Sequence, residues 1–140
     1  MTRDWVKDIH DMHAHYGFDE AVREFDAEKL GQMLDFRISF LEEELIELKT
    51  GVRERSAEDV VDALIDLCVV AIGTLDVFNV DAHGAWDQVH SANMQKRVGV
   101  KESRPNPLGL PDLVKPEGWT APWHGDNHGL LAAAMRRSRV

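Results

Sequence analysis

The sequence predicts an all-α fold, a bundle of four main helices followed by an extended C-terminal arm. Three observations carry this. Every long apolar pattern repeats at the helical spacing, and none alternates as a half-buried strand would. Residues that start and stop helices stand at the ends of those patterns. All five prolines and half of the ten glycines fall from Gly99 onward, where regular helix packing gives way.

The first helix is expected over 4–15, with Trp5, Ile9 and Met12 on its apolar face and Gly17 ending it. A second begins at Asp26, whose carboxylate suits an N-cap, and runs to Thr50 before Gly51. Its stripe is Leu30, Leu34, Ile38, Leu41, Leu45 and Leu48, spaced three and four apart. Ser56-Ala57-Glu58-Asp59 fits a capping box, so a third helix starts there and continues to Phe78. Apart from its acids that helix is apolar nearly all round, which implies burial on most sides. Asp81 can cap a fourth, carrying Trp86, Val89, His90 and Asn93 and ending near Val98 and Gly99. Residues 1–100 thus read as the bundle. Residues 101–140 read as a Pro/Gly-rich arm with a short terminal helix around 130–137.

A chain of 140 residues, 44% hydrophobic and 29% charged, has the apolar content for one core. Its longest nearly uncharged stretch, 67–75, is far shorter than the roughly 20 residues of a membrane span, and the first residues lack a signal peptide's apolar region. The expectation is a cytoplasmic protein with no membrane partner. A lone cysteine, Cys68, lies in an apolar run and is expected to pack as a small hydrophobe. The net charge of −9 argues against nucleic acid as a partner. It is concentrated, with −11 in the first hundred residues and +2 beyond. A phosphorylated substrate remains compatible if metal ions intervene.

The third helix poses the chemical question. Asp59, Asp62 and Asp66 fall in one stripe of an otherwise apolar surface, and no Lys or Arg occurs between Glu58 and Gln95. Ionised carboxylates buried side by side need a cation, and a metal supplies one. The second helix carries Glu42-Glu43-Glu44-Leu45-Ile46-Glu47. Relative to Leu41, Glu44 lies about 60° and Glu47 about 120° round the axis, whereas Glu43 projects nearly opposite. Glu44 and Glu47 can therefore chelate one hard cation, and carboxylate oxygens suit Mg²⁺ or Mn²⁺. Either acidic run alone would read as a solvated helix face. Two histidine sets, His10/His13/His15 and His124/Asp126/His128, only superficially resemble transition-metal sites, because the first does not share one helical face and the second lacks a fourth ligand.

Arg37-x-x-Phe40-Leu41-x-Glu43-Glu44-x-x-Glu47-Leu48, Asp62-Ala-Leu-Ile-Asp66-Leu, Gly73-Thr74 and 89–96 (Val-His-Ser-Ala-Asn-Met-Gln-Lys) together resemble the all-α nucleoside triphosphate pyrophosphohydrolases. That superfamily includes MazG, phosphoribosyl-ATP pyrophosphohydrolase and the dimeric dUTPases. The last block is similar to that of small, often phage-encoded MazG-like proteins, including the MazZ type. The likeness covers roughly 5–97 and leaves the arm unmatched.

The resemblance implies a MazG-like four-helix bundle and cleavage between the α and β phosphates, giving a nucleoside monophosphate and pyrophosphate. It implies two or three Mg²⁺ per site, with Mn²⁺ able to substitute. Glu44 and Glu47 correspond to the first ligand pair, and Glu43 to the leading glutamate, a base or supporting residue. The second pair departs from the family's Glu-x-x-Asp. If Asp66 is the aspartate, Ala63 takes the glutamate place; if Asp62 is, Asp59 does. Asp62 and Asp66 together form the preferred set, Asp59 and Asp62 the alternative. Asn93, Lys96 and Arg97 are the expected substrate-binding residues at the polyphosphate. The implied assembly is a homodimer or homotetramer, and the implied substrate a purine deoxynucleoside triphosphate, dGTP or dATP, in nucleotide-pool remodelling. Alternatives are a dUTPase-like or phosphoribosyl-ATP specificity, or a non-catalytic helical adaptor. Trp119 or Trp123 could cover a base, and Arg136, Arg137 or Arg139 could reach phosphate in a neighbouring subunit.

Overall fold

The computed structural model describes residues 2–136. In chain order the elements are α1 (Trp5–His15), α2 (Phe18–Arg23), α3 (Ala27–Arg53), α4 (Ala57–Val77), α5 (Ala82–Met94), β1 (Arg97–Gly99), β2 (Asp112–Val114) and α6 (Leu131–Met135). The chain separates into two compact units, Met1–Ala82 with Asp126–Val140, and His83–Gly125. The fold is all-α, as the helical spacing predicts.

The first unit is organised around α3 and α4. Both start as their sequences dictate. Asp26 accepts from Lys29 N at 2.9 Å and Ser56 accepts from Asp59 N at 3.1 Å, each satisfying one of the unpaired amides of a first turn. Both helices end in a left-handed residue that is not glycine, Arg55 and Asn79, each with φ of 58°. In both cases the next amide reaches back five residues, Ser56 N to Gly51 O and Val80 N to Leu75 O, closing a Schellman motif. The stop expected at Gly51 is therefore displaced to Arg53. Gly51 is helical, and since a Cβ there would press to 3.3 Å against Asp59 and Val60, its lack of a side chain lets α3 lie close to α4.

Contacts along the pair show that α3 and α4 run antiparallel. Gly51 meets Asp59 and Val60, and Arg37 donates to Thr74 Oγ1 and Val70 O, both at 3.0 Å. Val22, Leu30, Val77, Phe78, Val80 and Ala134 form the core of this unit, with Phe78 wholly buried. The returning segment closes that core. Leu130 N donates to Phe78 O at 2.7 Å, and Gly129, at φ 53°, passes so near Phe78 O that no side chain fits there.

The sequence misses α2, a six-residue helix whose Val22 is buried. A segment that short is held by packing, and its pattern is too brief to read. In the second unit the fourth predicted helix stops at Met94, four residues early, and Arg97–Gly99 pairs antiparallel with Asp112–Val114. This corrects both the helix end near Val98 and the expected absence of strands. Three-residue strands leave no room for an alternating pattern. Gly99 allows the pairing, since a Cβ there would collide with Val114.

Candidate metal centre

Antiparallel packing sets Glu44 and Glu47 of α3 beside Asp66 of α4. One carboxylate oxygen from each lies within 4.8 Å of the others, the only such group of acids, histidines or cysteines among the described residues. Glu44 and Asp66 are half-buried and Glu47 is exposed. Glu44 Oε2 is buried with no hydrogen-bond partner. Burial, the hydrogen bond shared with Glu47 and the charges of Glu47, Asp66 and Glu43 push the Glu44 carboxyl up to about 7. Burial and the neighbouring Asp62 and Glu47 push Asp66 up as well. Such a cluster opposes its own ionisation, and a hard cation removes the opposition. The orphaned Glu44 oxygen and the all-oxygen donor set fit a divalent cation of the Mg²⁺ or Mn²⁺ kind.

Asp62, expected to be buried in register with Asp66, is exposed and lies outside the three-acid group. It lines an adjoining cavity of about 240 Å³ with Glu47, Thr50, Gly51, Asp59 and Ala63. Glu47 thus borders both places. Ala63, three residues before Asp66, is buried and has no side-chain donor atom to offer a metal. Glu43 is exposed, as its direction on the helix implies.

Asn93, Lys96 and Arg97 belong to the second unit. Asn93 is exposed in the last turn of α5 and Arg97 opens β1. The Lys96 ammonium stands 5.5 Å and that of Lys115 5.0 Å from the centre of the Trp119 ring, whose Nε1 donates to Ala92 O at 2.8 Å. Trp119 is thereby tied to α5, while Trp5, Trp86 and Trp123 are exposed. Arg136 is exposed; Arg137 and Arg139 lie outside the described residues.

The N-terminal histidines do something the sequence reading did not foresee. His10 Nδ1 and His13 Nδ1 meet the two oxygens of Asp76 at 2.9 and 2.7 Å, and His13 is buried. Asp76 holds α1 to α4. The legible signal was two histidines three apart and a lone acid in the last turn of an apolar helix. Cys68 is a free, half-buried thiol lining an apolar cavity with Trp5, Ile9 and Ile65.

The profile of the phosphoribosyl-ATP pyrophosphohydrolase family matches residues 15–93, more than half of the chain, and that span includes all three clustered acids. No curated protein matches the chain.

Proposed function

Because the chain belongs to the phosphoribosyl-ATP pyrophosphohydrolase family, within the MazG-like all-α superfamily, and is on that ground a pyrophosphohydrolase, we propose that it hydrolyses the α–β phosphate bond of a purine deoxynucleoside triphosphate in a Mg²⁺-dependent reaction. The observation that carries this reading is the three-acid group with its orphaned Glu44 oxygen, inside the matched span. Mg²⁺, when bound there, would neutralise the polyphosphate and lower the pKa of an attacking water.

The chain's own residues set the rest. Burial and the charges of Glu47, Asp66 and Glu43 push the Glu44 carboxyl up to about 7, and a cation held there would favour its ionised form. Asp66 faces the same point from α4, and Asp59 and Asp62 offer carboxylates to a further cation around Glu47. Glu43, on the outer side, raises the Glu44 pKa by its charge and supports the pair. Lys96, with Asn93 and Arg97, is assigned to the substrate phosphates, and Lys96 has no carboxylate partner among the described residues. The functional unit is a homodimer or homotetramer acting in the cytoplasm.

The profile's description favours a second reading, phosphoribosyl-ATP as substrate. One experiment separates the two. Pyrophosphate release is measured with Mg²⁺ and with EDTA across the deoxy- and ribonucleoside triphosphates and phosphoribosyl-ATP. The expected result is release from dATP or dGTP that EDTA abolishes and that Glu47→Ala lowers at least a hundredfold with the helical signal intact. Release from phosphoribosyl-ATP alone would establish the second reading. Full turnover by Glu47→Ala would remove the acids from the mechanism.

A further inference from the structure

On the same helix as the acids, α3, an open groove of about 610 Å³ runs over the first half, between α2 and the end of α4. This volume is within the range of small-ligand sites. Phe18, Phe25, Phe36 and Phe40 supply four aromatic rings, and Gln32 and Arg37 are among the polar groups at its wall. Phe36 and Phe40 have ring centroids 4.5 Å apart, tilted by 53°. Phe36, Phe40 and Glu44 follow one another at four-residue spacing along a single ridge of α3. Phe40 therefore lies only about 6 Å along the axis from Glu44 and about 20° round it from Glu47.

We propose that this groove is the base site of the nucleotide whose phosphates sit at the acids, and that Gln32 selects adenine within it. The assignment rests on the hydrolase reading for its polyphosphate end and on the groove for the rest. Aromatic faces separated from a carboxylate cluster by about one helical turn suit a ligand that is planar at one end and polyanionic at the other. Of the polar groups, Arg37 is committed to α4 through Thr74 and Val70, and Lys29 stands 5.4 Å from the Phe25 ring. Gln32 has no partner among the described residues, so its amide is available to a ligand. A terminal amide sets an N–H donor beside a carbonyl acceptor, the N–H matching adenine N7 and the carbonyl its exocyclic amine. Guanine presents two acceptors on that edge and pairs instead with Arg or Lys.

The test is calorimetric binding of the α,β-methylene analogues of dATP, dGTP, dCTP and dTTP, which cannot be cleaved at the α–β bond, to the full chain with Mg²⁺. Wild type is expected to bind the dATP analogue about tenfold more tightly than the others. Gln32→Leu should bring all four within about threefold, and Phe36→Ala should weaken every analogue about tenfold through lost stacking. Circular dichroism confirms that each variant is folded. Equal binding of all four by wild type, or a dATP preference that survives Gln32→Leu, overturns the proposal. So does a Phe36→Ala variant that changes sedimentation but not binding, because a second copy then covers the groove. A chain with the expected binding pattern that releases no pyrophosphate from any triphosphate would refute the hydrolase reading and leave the base site standing.

Discussion

At Glu44 a carboxyl that titrates near 7 stands where the local chemistry is most crowded with negative charge. The sign of its effect on stability follows from linkage. A carboxyl whose pKa is raised by folding binds its proton more tightly in the native state, so ionising it weakens the fold. Without divalent cations, stability should fall as pH rises from the ordinary carboxylate range through about 7, and Asp66, raised in the same sense, adds to the slope. In EDTA the protein should melt at a lower temperature at pH 8 than at pH 6, and Glu44→Gln should flatten that dependence and raise the melting point at pH 8. Mg²⁺ should reverse the slope, because the cation needs the ionised carboxylate. A melting point in EDTA independent of pH between 6 and 8 would refute this account of Glu44. The spacing of Glu44 and Glu47 and their direction from the core stripe were readable in the sequence. The arrangement on α4 was not, since Asp66 joins Glu44 only through the register between α3 and α4. That register depends on contacts at Gly51 and Arg37 remote from the acids.

Individual helices were legible where local chemistry decides them. Asp26 and Ser56 cap α3 and α4 because a short polar side chain satisfies free amides whatever the surroundings. Elements decided by tertiary contacts were not: α2 exists because Val22 reaches the core, and β1 because β2 returns to it. The same limit hid the role of α1. Its buried residues are Ile9 and His13, so the Asp76 carboxylate bridging His10 and His13 is a main fastening of α1 to α4. Asp76→Asn should lower the free energy of unfolding by about 2 kcal/mol, chiefly through the buried His13 contact. The pH dependence is set by His10, whose pKa is raised by its hydrogen bond to Asp76 and the attraction between them. A raised histidine pKa means a contribution fully present below about 6.5 and lost as pH climbs through the higher native value. Urea unfolding should therefore show a larger gap between wild type and Asp76→Asn at pH 6 than at pH 9. An equal gap at both would assign the whole effect to neutral hydrogen bonding.

For the whole molecule, the decisive fact is how much of α4 a single chain leaves uncovered. An apolar helix with acids along one stripe reads as an interior helix, yet Val61, Leu64 and Ile65 are 60%, 47% and 46% exposed. These three lie on one side of the helix, at spacings of three and four. On α3, Ile38, Leu45 and Ile46 are exposed as well. Isolated surface hydrophobes are ordinary, but such side chains clustered on one helix face mark an association surface. A second copy of this chain is the partner expected to cover it. Sedimentation equilibrium should give two or four times the 15.8 kDa chain mass, and the melting temperature should rise with protein concentration, as mass action requires of a linked assembly. The double variant Val61→Gln/Ile65→Gln exchanges apolar for neutral polar side chains without adding charge beside Asp62 and Asp66. It should shift the protein to monomer while keeping its helical signal. A wild-type mass of 15.8 kDa at every concentration would mean that the exposed face of α4 meets solvent or some other partner.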